Sequence, residues 1–491
     1  MKGFGDNKKS FKNKNLSNEN KKINYDELIN KAFKLQAQGK KLEAAKFYSY
    51  LIKNGIKNYK VFSNYGTFLK EIGKYSEAEL ELKKAIRLNP HYANAYYNLA
   101  GLFIDKKDFS QAEIYLRKAI KFKTDFAIAY YNLGFILKNL DKLQEAKLYI
   151  QKALEIDPQL TNAYWSLSIM TVTDSDQKWQ NQLFSESLLK NKNSLELVNI
   201  FFARSNILHK KGKFRESAEN LLKANNLKLS IYKSQANKLI EKTKKLKISS
   251  NNFQRNFKKI PNDPISIFIV GLPRCGSTLV ESIISLNSEV TDLGEVNIFE
   301  KSYREYIQSD KKVDLAEIYK KNSRILNKQS NITTNKWLYN YQYAGIIANS
   351  IPNAKIIHCY RNPFDNILSI YKAHFSTGNA FSSSLVDCAE VYSDQEEIMK
   401  TYKQEFRSKI YDLNYDELVT NPVREIKSLI KWLNWEWNEI FLSPHLNKRS
   451  VFTRSNVEIR SPINSKSVGG WKNYKDMLKP AIELLSKTEK F

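Results

Sequence analysis

Four alanines, Ala44, Ala78, Ala112 and Ala146, recur at a spacing of 34 residues, and a second set, Ala85, Ala119 and Ala153, keeps the same period. Large residues keep it as well: Phe62, Tyr96, Tyr130 and Tyr164, then Tyr65, Leu99, Leu133 and Leu167. A small one follows each time, Gly66, Ala100, Gly134 and Ser168, and Pro90 and Pro158 close two of the periods. A repeat of this length forces the chain into stacked helical hairpins, because no single unit can bury its own apolar face. Small residues let two antiparallel helices approach closely, large ones fill the space between pairs, and proline stops the second helix.

These residues resemble the tetratricopeptide repeat over about residues 25–170, as four repeats plus the first helix of a fifth. The resemblance implies a concave face that binds peptides or proteins. A spacer or a homodimerisation surface stays equally open on the sequence. In each of the pairs Tyr96/Tyr97, Tyr130/Tyr131 and Tyr164/Trp165 one member belongs to the core, leaving only the other for a partner. Residues 173–258 stay helical in pattern but lose the register. Residues 201–208 and 212–218 read as a degenerate final repeat, and the lysine-rich stretch 242–259 reads as a linker.

The length of 491 residues suggests about three domains at roughly 150 residues each. The net charge of +28 comes from Lys, which is abundant everywhere, so it reads as a bias spread along the chain and gives nucleic-acid binding little support. Cys275, Cys359 and Cys388 have no paired spacing of a zinc site or redox dithiol, which fits a reducing compartment. Residues 1–24 form a Lys/Asn/Ser-rich leader without an apolar segment, expected to be disordered, and no stretch approaches the roughly 18 apolar residues of a membrane span. A cytoplasmic protein is the expectation.

The chemistry is in the C-terminal half. The run Ile265-Ser-Ile-Phe-Ile-Val-Gly-Leu-Pro-Arg-Cys-Gly-Ser-Thr-Leu-Val-Glu281 reads as a strand, a glycine-bearing turn and a helix start. Gly271 and Gly276 take the two glycine positions of a phosphate-binding loop, and Ser277-Thr278 stand where that motif has Lys and Ser or Thr. Such a turn closes backbone N–H groups around an anion. Without the lysine it does not read as an ATPase, and Arg274 is the substitute, able to hold an oxyanion by forked hydrogen bonds. A turn that serves packing alone is the bland alternative. Further on, Ala354-Lys-Ile-Ile-His-Cys-Tyr360 reads as a buried strand running into Arg361 and a helix opened by Pro363. Arg361 with Ser369 makes a second anion site in the same crevice, so the ligand suggested is a nucleotide phosphorylated at two places.

Gly271-Leu-Pro-Arg-Cys-Gly-Ser-Thr278 resembles the 5′-phosphosulfate loop of sulfotransferases, and Arg361 with Ser369 resembles their 3′-phosphate motif. The likeness covers about residues 264–480 and is closest to the tyrosylprotein sulfotransferases and their bacterial relatives fused to tetratricopeptide repeats. It implies an α/β domain with a mostly parallel, P-loop-like sheet after an all-α solenoid, and 3′-phosphoadenosine 5′-phosphosulfate (PAPS) as co-substrate. The division implied is leader 1–24, repeats 25–172, helical connector 173–258 and sulfotransferase domain 259–491. The family's catalytic glutamate matches Glu295, and its lysine matches Lys336, which lies 25 positions before Arg361 (361 − 336). Arg274, Cys275, Gly276, Ser277 and Thr278 match the loop that holds the nucleotide. Tyr415 matches the tyrosine near the adenine, and Ser455 and Lys466 match the late loop that closes on it, with Ser455 also facing the reaction.

The chemistry requires these types. A hydroxyl acceptor attacks sulfur only as a carboxylate takes its proton, the role of Glu295. Arg274, Lys336, Ser455 and loop amides stabilise charge on the sulfuryl and leaving oxygens. The loop has no acidic metal-binding partner, so no metal is expected. The acceptor implied is a tyrosine of a peptide or protein, with a sugar or small alcohol still open. Bland readings stand beside these: a helix-cap carboxylate for Glu295, a core aromatic for Tyr415, a strand residue for His358, a helix-face residue for His374, and a core contact for Trp432, Trp435 and Trp437. A repeat scaffold with an inactive nucleotide fold is the alternative function. An atypical kinase is a third, and Ser277 in place of lysine disfavours it.

Overall fold

The structure, a computed structural model, describes residues 24–170, 176–251, 253, 264–324, 330–375, 378–447 and 460–487. Two compact units are present, Met1–Ala129 and Tyr130–Phe491.

In the first unit three hairpins follow one another: α1 (Tyr25–Ala37) with α2 (Lys41–Lys53), α3 (Tyr59–Glu71) with α4 (Tyr75–Leu88), and α5 (Ala93–Asp105) with α6 (Phe109–Phe122). Both helices of each hairpin start at the period of the alanines. Ala78, Leu82 and Ala85 form the buried stripe of α4, spaced for one helix face. Asn58 and Asp108 fix the starts of α3 and α6, their side chains accepting first-turn amide hydrogens.

The pattern continues through α7 (Ala127–Asn139), α8 (Leu143–Ile156) and α9 (Thr161–Ser168). Gly134 shows what the small position does, because a Cβ there would lie 2.4 Å from Ile150 Cγ1 on the facing helix. Of the aromatic pairs, Tyr96 and Tyr164 are the buried members. Each donates its hydroxyl to the carbonyl of the proline six residues before it, Pro90 at 3.0 Å and Pro158 at 2.9 Å.

Four further helices, α10 (Gln177–Phe184), α11 (Ser194–Lys210), α12 (Phe214–Ile231) and α13 (Ala236–Asn251), lead to the sheet. Val198, Phe202, Leu221, Ala224, Ala236 and Leu246 from these helices share one hydrophobic core with Phe268, Tyr341 and Tyr402 of the α/β region. The stretch read as a linker from residue 242 is therefore helix up to Asn251. Gln342 Nε2 donates to Leu239 O at 3.0 Å and to Thr243 Oγ1 at 2.9 Å, pinning that helix. Its lysines cover the outer face, which is why composition suggested a linker.

Five parallel strands make the sheet among the described residues: β1 (Ile265–Gly271), β2 (Val290–Asp292), β3 (Ile332–Asn335), β4 (Ala354–Tyr360) and β5 (Ile410–Asn414), in the order β2-β3-β1-β4-β5. Around it lie α14 (Ser277–Ile284), α15 (Ile298–Gln308), α16 (Leu315–Arg324), α17 (Ala344–Ser350) and α18 (Pro363–Lys372). Then come α19 (Leu385–Glu405), α20 (Tyr415–Thr420), α21 (Pro422–Leu433) and α22 (Lys475–Ser486). Alternate residues of β1 feed opposite faces, Phe268 and Val270 into one core, Ile267 and Ile269 into the other. Trp432, Trp435 and Trp437 pack on the second core, as a core contact requires. The chain leaves central β1 first toward β2 and later toward β4, and that reversal opens a crevice at the carboxyl ends of the strands. Among the described residues no helix is long and apolar enough to cross a membrane.

Candidate active site

The turn between β1 and α14 is held in place by its conformation and by α18. Gly276 caps α14 at φ 91°, and a Cβ there would lie 2.1 Å from the ring of Tyr415, so only glycine fits. Arg274 takes the same left-handed region at φ 70°, unusual for a residue with a side chain. Its Nε donates to Ser369 Oγ at 3.0 Å. Asn366, on the same helix as Ser369, donates its side-chain amide to Pro273 O at 3.1 Å. The two anion motifs of the sequence are thus joined directly. Ser277 and Thr278, in the first turn of α14, are buried.

Below the loop lies a lysine between carboxylates. Lys336 Nζ donates to Glu295 Oε1 at 2.9 Å and to Thr278 Oγ1 at 3.4 Å, and Glu281 Oε2 is 3.6 Å away. The backbone dictates this meeting. Leu293 N donates to Thr334 O at 2.9 Å and Lys336 N to Gly294 O at 3.1 Å, so the segment carrying Glu295 is laced to the end of β3. Asn335 adds a side-chain bond to Val296 O at 2.9 Å and accepts one from Asn340 at 2.7 Å. Glu281 was not singled out in the sequence. Its only signal is position, one helical turn after Thr278.

The second motif is built around Arg361, buried just beyond β4. Its guanidinium carbon stands 4.7 Å from the centre of the Tyr415 ring, and Nη2 donates to Ser467 O at 2.8 Å. Asp416 lies 3.6 Å from Nη2 and Asp365 3.9 Å. Its Nε is buried and makes no hydrogen bond among the described residues. Burial raises the Asp416 carboxyl above its ordinary value, although the Asn362 amide and Arg361 pull the other way. Tyr415 is in contact with the loop glycine and, through its hydroxyl, lies 3.2 Å from Ser467 Oγ. Asp365 accepts from Gly469 N at 2.7 Å and Trp471 N at 2.9 Å, which fixes the late loop over α18. Of the two late-loop residues expected at the site, Ser455 lies outside the described residues. Lys466 is exposed, and its neighbour Ser467 makes the contacts with Arg361 and Tyr415. Asp365 and Ser467 were missed because one reads as a helix-start acid and the other as one serine among many.

Cys275 and Cys359 are buried beside each other. Burial opposes ionisation of Cys275, but hydrogen bonds from Cys359 and from Ser277 outweigh it and bring the thiol to about 7. Burial pushes Cys359 up. His358 is a strand residue on β4, with Nδ1 2.9 Å from Asp412 Oδ1. Burial disfavours its charge, yet Asp412 and Glu396 raise its pKa overall. His374 lies past the end of α18, stacked on Phe202 with centroids 4.7 Å apart and 2.8 Å from Asn199 Oδ1. It is a packing residue away from the loop, not one on a helix face, because α18 stops at Lys372.

The chain is similar to several known proteins. Residues 264–439 match the family model described as the sulfotransferase family, and residues 71–133 and 127–160 match models of the tetratricopeptide repeat. An uncharacterized protein of Aquifex aeolicus (strain VF5) is 29% identical over 243 residues, which are 45% of this chain and 32% of that protein. Protein-tyrosine sulfotransferase 1 of Danio rerio is 24% identical over 234 residues, 42% of this chain and 65% of that enzyme. The chain therefore spans less than two thirds of either relative. A solved sulfotransferase domain from the Synechococcus PCC 7002 olefin synthase superposes with a TM-score of 0.35 at 16% identity, covering 48% of this chain and 98% of that one. Residues 264–439 are similar to the sulfotransferase family, in one chain with segments similar to tetratricopeptide repeats.

Proposed function

We propose that this protein moves a sulfuryl group from PAPS to a hydroxyl acceptor, and that the acceptor is a tyrosine of a peptide or protein. One observation carries the reading: the Lys336 ammonium stands between a hydroxyl of the anion-binding turn, Thr278 Oγ1, and a carboxylate, Glu295 Oε1. A cation and a base meet at the carboxyl end of the sheet. The match of residues 264–439 to the sulfotransferase family supports sulfuryl transfer, and the likeness to a protein-tyrosine sulfotransferase supports the acceptor.

In this reading the amides of the turn at Cys275, Gly276, Ser277 and Thr278, with the Arg274 guanidinium, hold the phosphosulfate end. Arg361 and Ser369 hold the 3′-phosphate, and the buried Arg361 Nε, with no hydrogen bond among the described residues, fits that role. Tyr415 borders the base, and Ser455 and Lys466 belong to the late loop that covers it. Glu295 takes the acceptor's proton, while Arg274, Lys336 and Ser455 stabilise charge on the transferring and leaving oxygens. The bound nucleotide supplies an activated sulfuryl group. No metal takes part, the repeats at 25–172 present the acceptor, the connector at 173–258 joins them to the catalytic domain at 259–491, and the protein works in the cytoplasm.

The test is calorimetric titration with 3′-phosphoadenosine 5′-phosphate in EDTA, on wild type and Arg361→Ala, followed by labelled donor with tyrosine peptides. Binding survives chelation and weakens at least about 10-fold in the variant, the loss of a charged hydrogen-bonding group. Absence of binding by the wild type overturns the reading.

A further inference from the structure

Glu281 has no part in the mechanism above, yet it is a carboxylate sealed beside the proposed catalytic lysine. We infer, on the sulfuryl-transfer reading, that Glu281 is a positioning residue, the fixed counter-ion that holds the Lys336 ammonium at the loop while Glu295 turns to the acceptor hydroxyl.

Thr278 and Glu281 stand three residues apart on α14, so both point along one helix face, and that face meets the end of β3. Lys336 Nζ reaches both, at 3.4 Å and 3.6 Å. Thr334, two residues before Lys336, presents its hydroxyl to the other oxygen, Glu281 Oε1, at 3.4 Å. The two carboxylates facing the lysine differ in one decisive respect. The Glu281 side chain is 2% exposed and the Glu295 side chain 47%, against 1% for Lys336. The exposed carboxylate is free to move to a substrate, and the sealed one is not.

The charge balance of the step gives such a partner a role. The acceptor's proton passes to the Glu295 carboxylate as the new oxygen–sulfur bond forms and the bond from sulfur to the phosphate oxygen breaks, and Lys336 keeps all three of its own protons. Neutralising Glu295 removes one of the two carboxylates beside Lys336, and the charge that grows on the leaving oxygen is lost again when the product departs, so Glu281 is the one fixed anion beside the ammonium through the cycle. Glu281 keeps the ammonium matched and in place throughout.

A double-mutant cycle of Glu281→Gln and Lys336→Met tests this. Glu281→Gln lowers kcat about 10- to 100-fold, as expected for a displaced catalytic group, and leaves the KM for the donor and the calorimetric affinity for 3′-phosphoadenosine 5′-phosphate within about twofold. In the Lys336→Met background the same substitution changes kcat by less than about twofold. Equal losses in both backgrounds, or a raised KM with unchanged kcat, overturn the inference. Thermal melts of the four proteins give a readout independent of turnover: Glu281→Gln lowers the midpoint with Lys336 present and does not in the Lys336→Met background. An equal drop in both rejects the counter-ion, whereas a wild type that transfers no sulfuryl group rejects the activity and leaves the melts to decide the pairing. If Lys336→Met does not fold, Lys336→Gln takes its place in the cycle.

Discussion

Arg274 Nε donates to Ser369 Oγ at 3.0 Å, a bond between the anion-binding turn and α18 across 95 residues of sequence. The turn alone leaves Arg274 in a left-handed conformation, and the serine gives its side chain a defined direction. Ser369→Ala removes the partner of Arg274 Nε and a hydroxyl from the second anion motif. Affinity for 3′-phosphoadenosine 5′-phosphate falls about 10-fold, the scale of one hydrogen bond to a charged group, measured by calorimetry. Unchanged affinity rejects the link.

Gly276 is held at φ 91° against the Tyr415 ring. Gly276→Ala meets both a backbone penalty and a clash, so the domain loses about 1–3 kcal/mol of stability and nucleotide binding drops with it. Tyr415→Ala removes the ring that the new Cβ would meet, and with it the stacking on Arg361, so the double variant is compared with Tyr415→Ala alone. Denaturant melts of the pair separate the two, and full recovery in the double variant would show that the backbone contributes nothing.

Glu295→Gln keeps shape and a hydrogen bond to Lys336 while removing basicity. Single-turnover rates with labelled donor fall about 10²- to 10⁴-fold, the range for loss of a general base, and nucleotide affinity stays the same. A variant as fast as wild type assigns the proton to another group.

His209, near the end of α11, packs against Tyr474 just before α22, with Nδ1 2.8 Å from Tyr474 Oη. Burial, then the charges of Lys372 and Lys210, depress it from 6.5 to about 4. An unfolded chain therefore binds a proton that the folded one refuses between those values. The stability contributed by neutral His209 is complete above pH 6.5 and is lost as pH falls toward 4. Melting midpoints of wild type decline over that interval, and those of His209→Gln decline less. Parallel curves would exclude His209 as the cause.

Much of this architecture is legible in the residues, and what is not has a common origin. The spacing of Ala44, Ala78, Ala112 and Ala146 registers the repeat hairpins because each small side chain reports directly on helix contact. The apolar β-branched run at 265–270 and Pro363 mark β1 and the start of α18 through local preference. Glu295 and Lys336 stand out only through the resemblance to sulfotransferases, and the structure brings them to 2.9 Å. Glu281, Asp365 and Ser467 do not stand out. Each draws its meaning from a partner far along the chain, and nothing local separates a buried acid on α14 from a solvated one. The same holds for α13, whose lysines look like a tether until Thr243 and Leu246 are seen buried. His374 escaped for a smaller reason, a helix end two residues earlier than its pattern suggests.

Asp365 receives the amides of Gly469 and Trp471, and Arg361 reaches Ser467. Seen in the order of synthesis, these contacts set a clock. A nascent chain emerges amino end first, and β1, Lys336 and Arg361 leave the ribosome long before residue 467 does. Asp365 waits for an amide 104 residues downstream. Until that segment arrives the second anion motif lacks its cover, so a growing polypeptide carries its machinery in an unfinished form until residues 467–471 have been made.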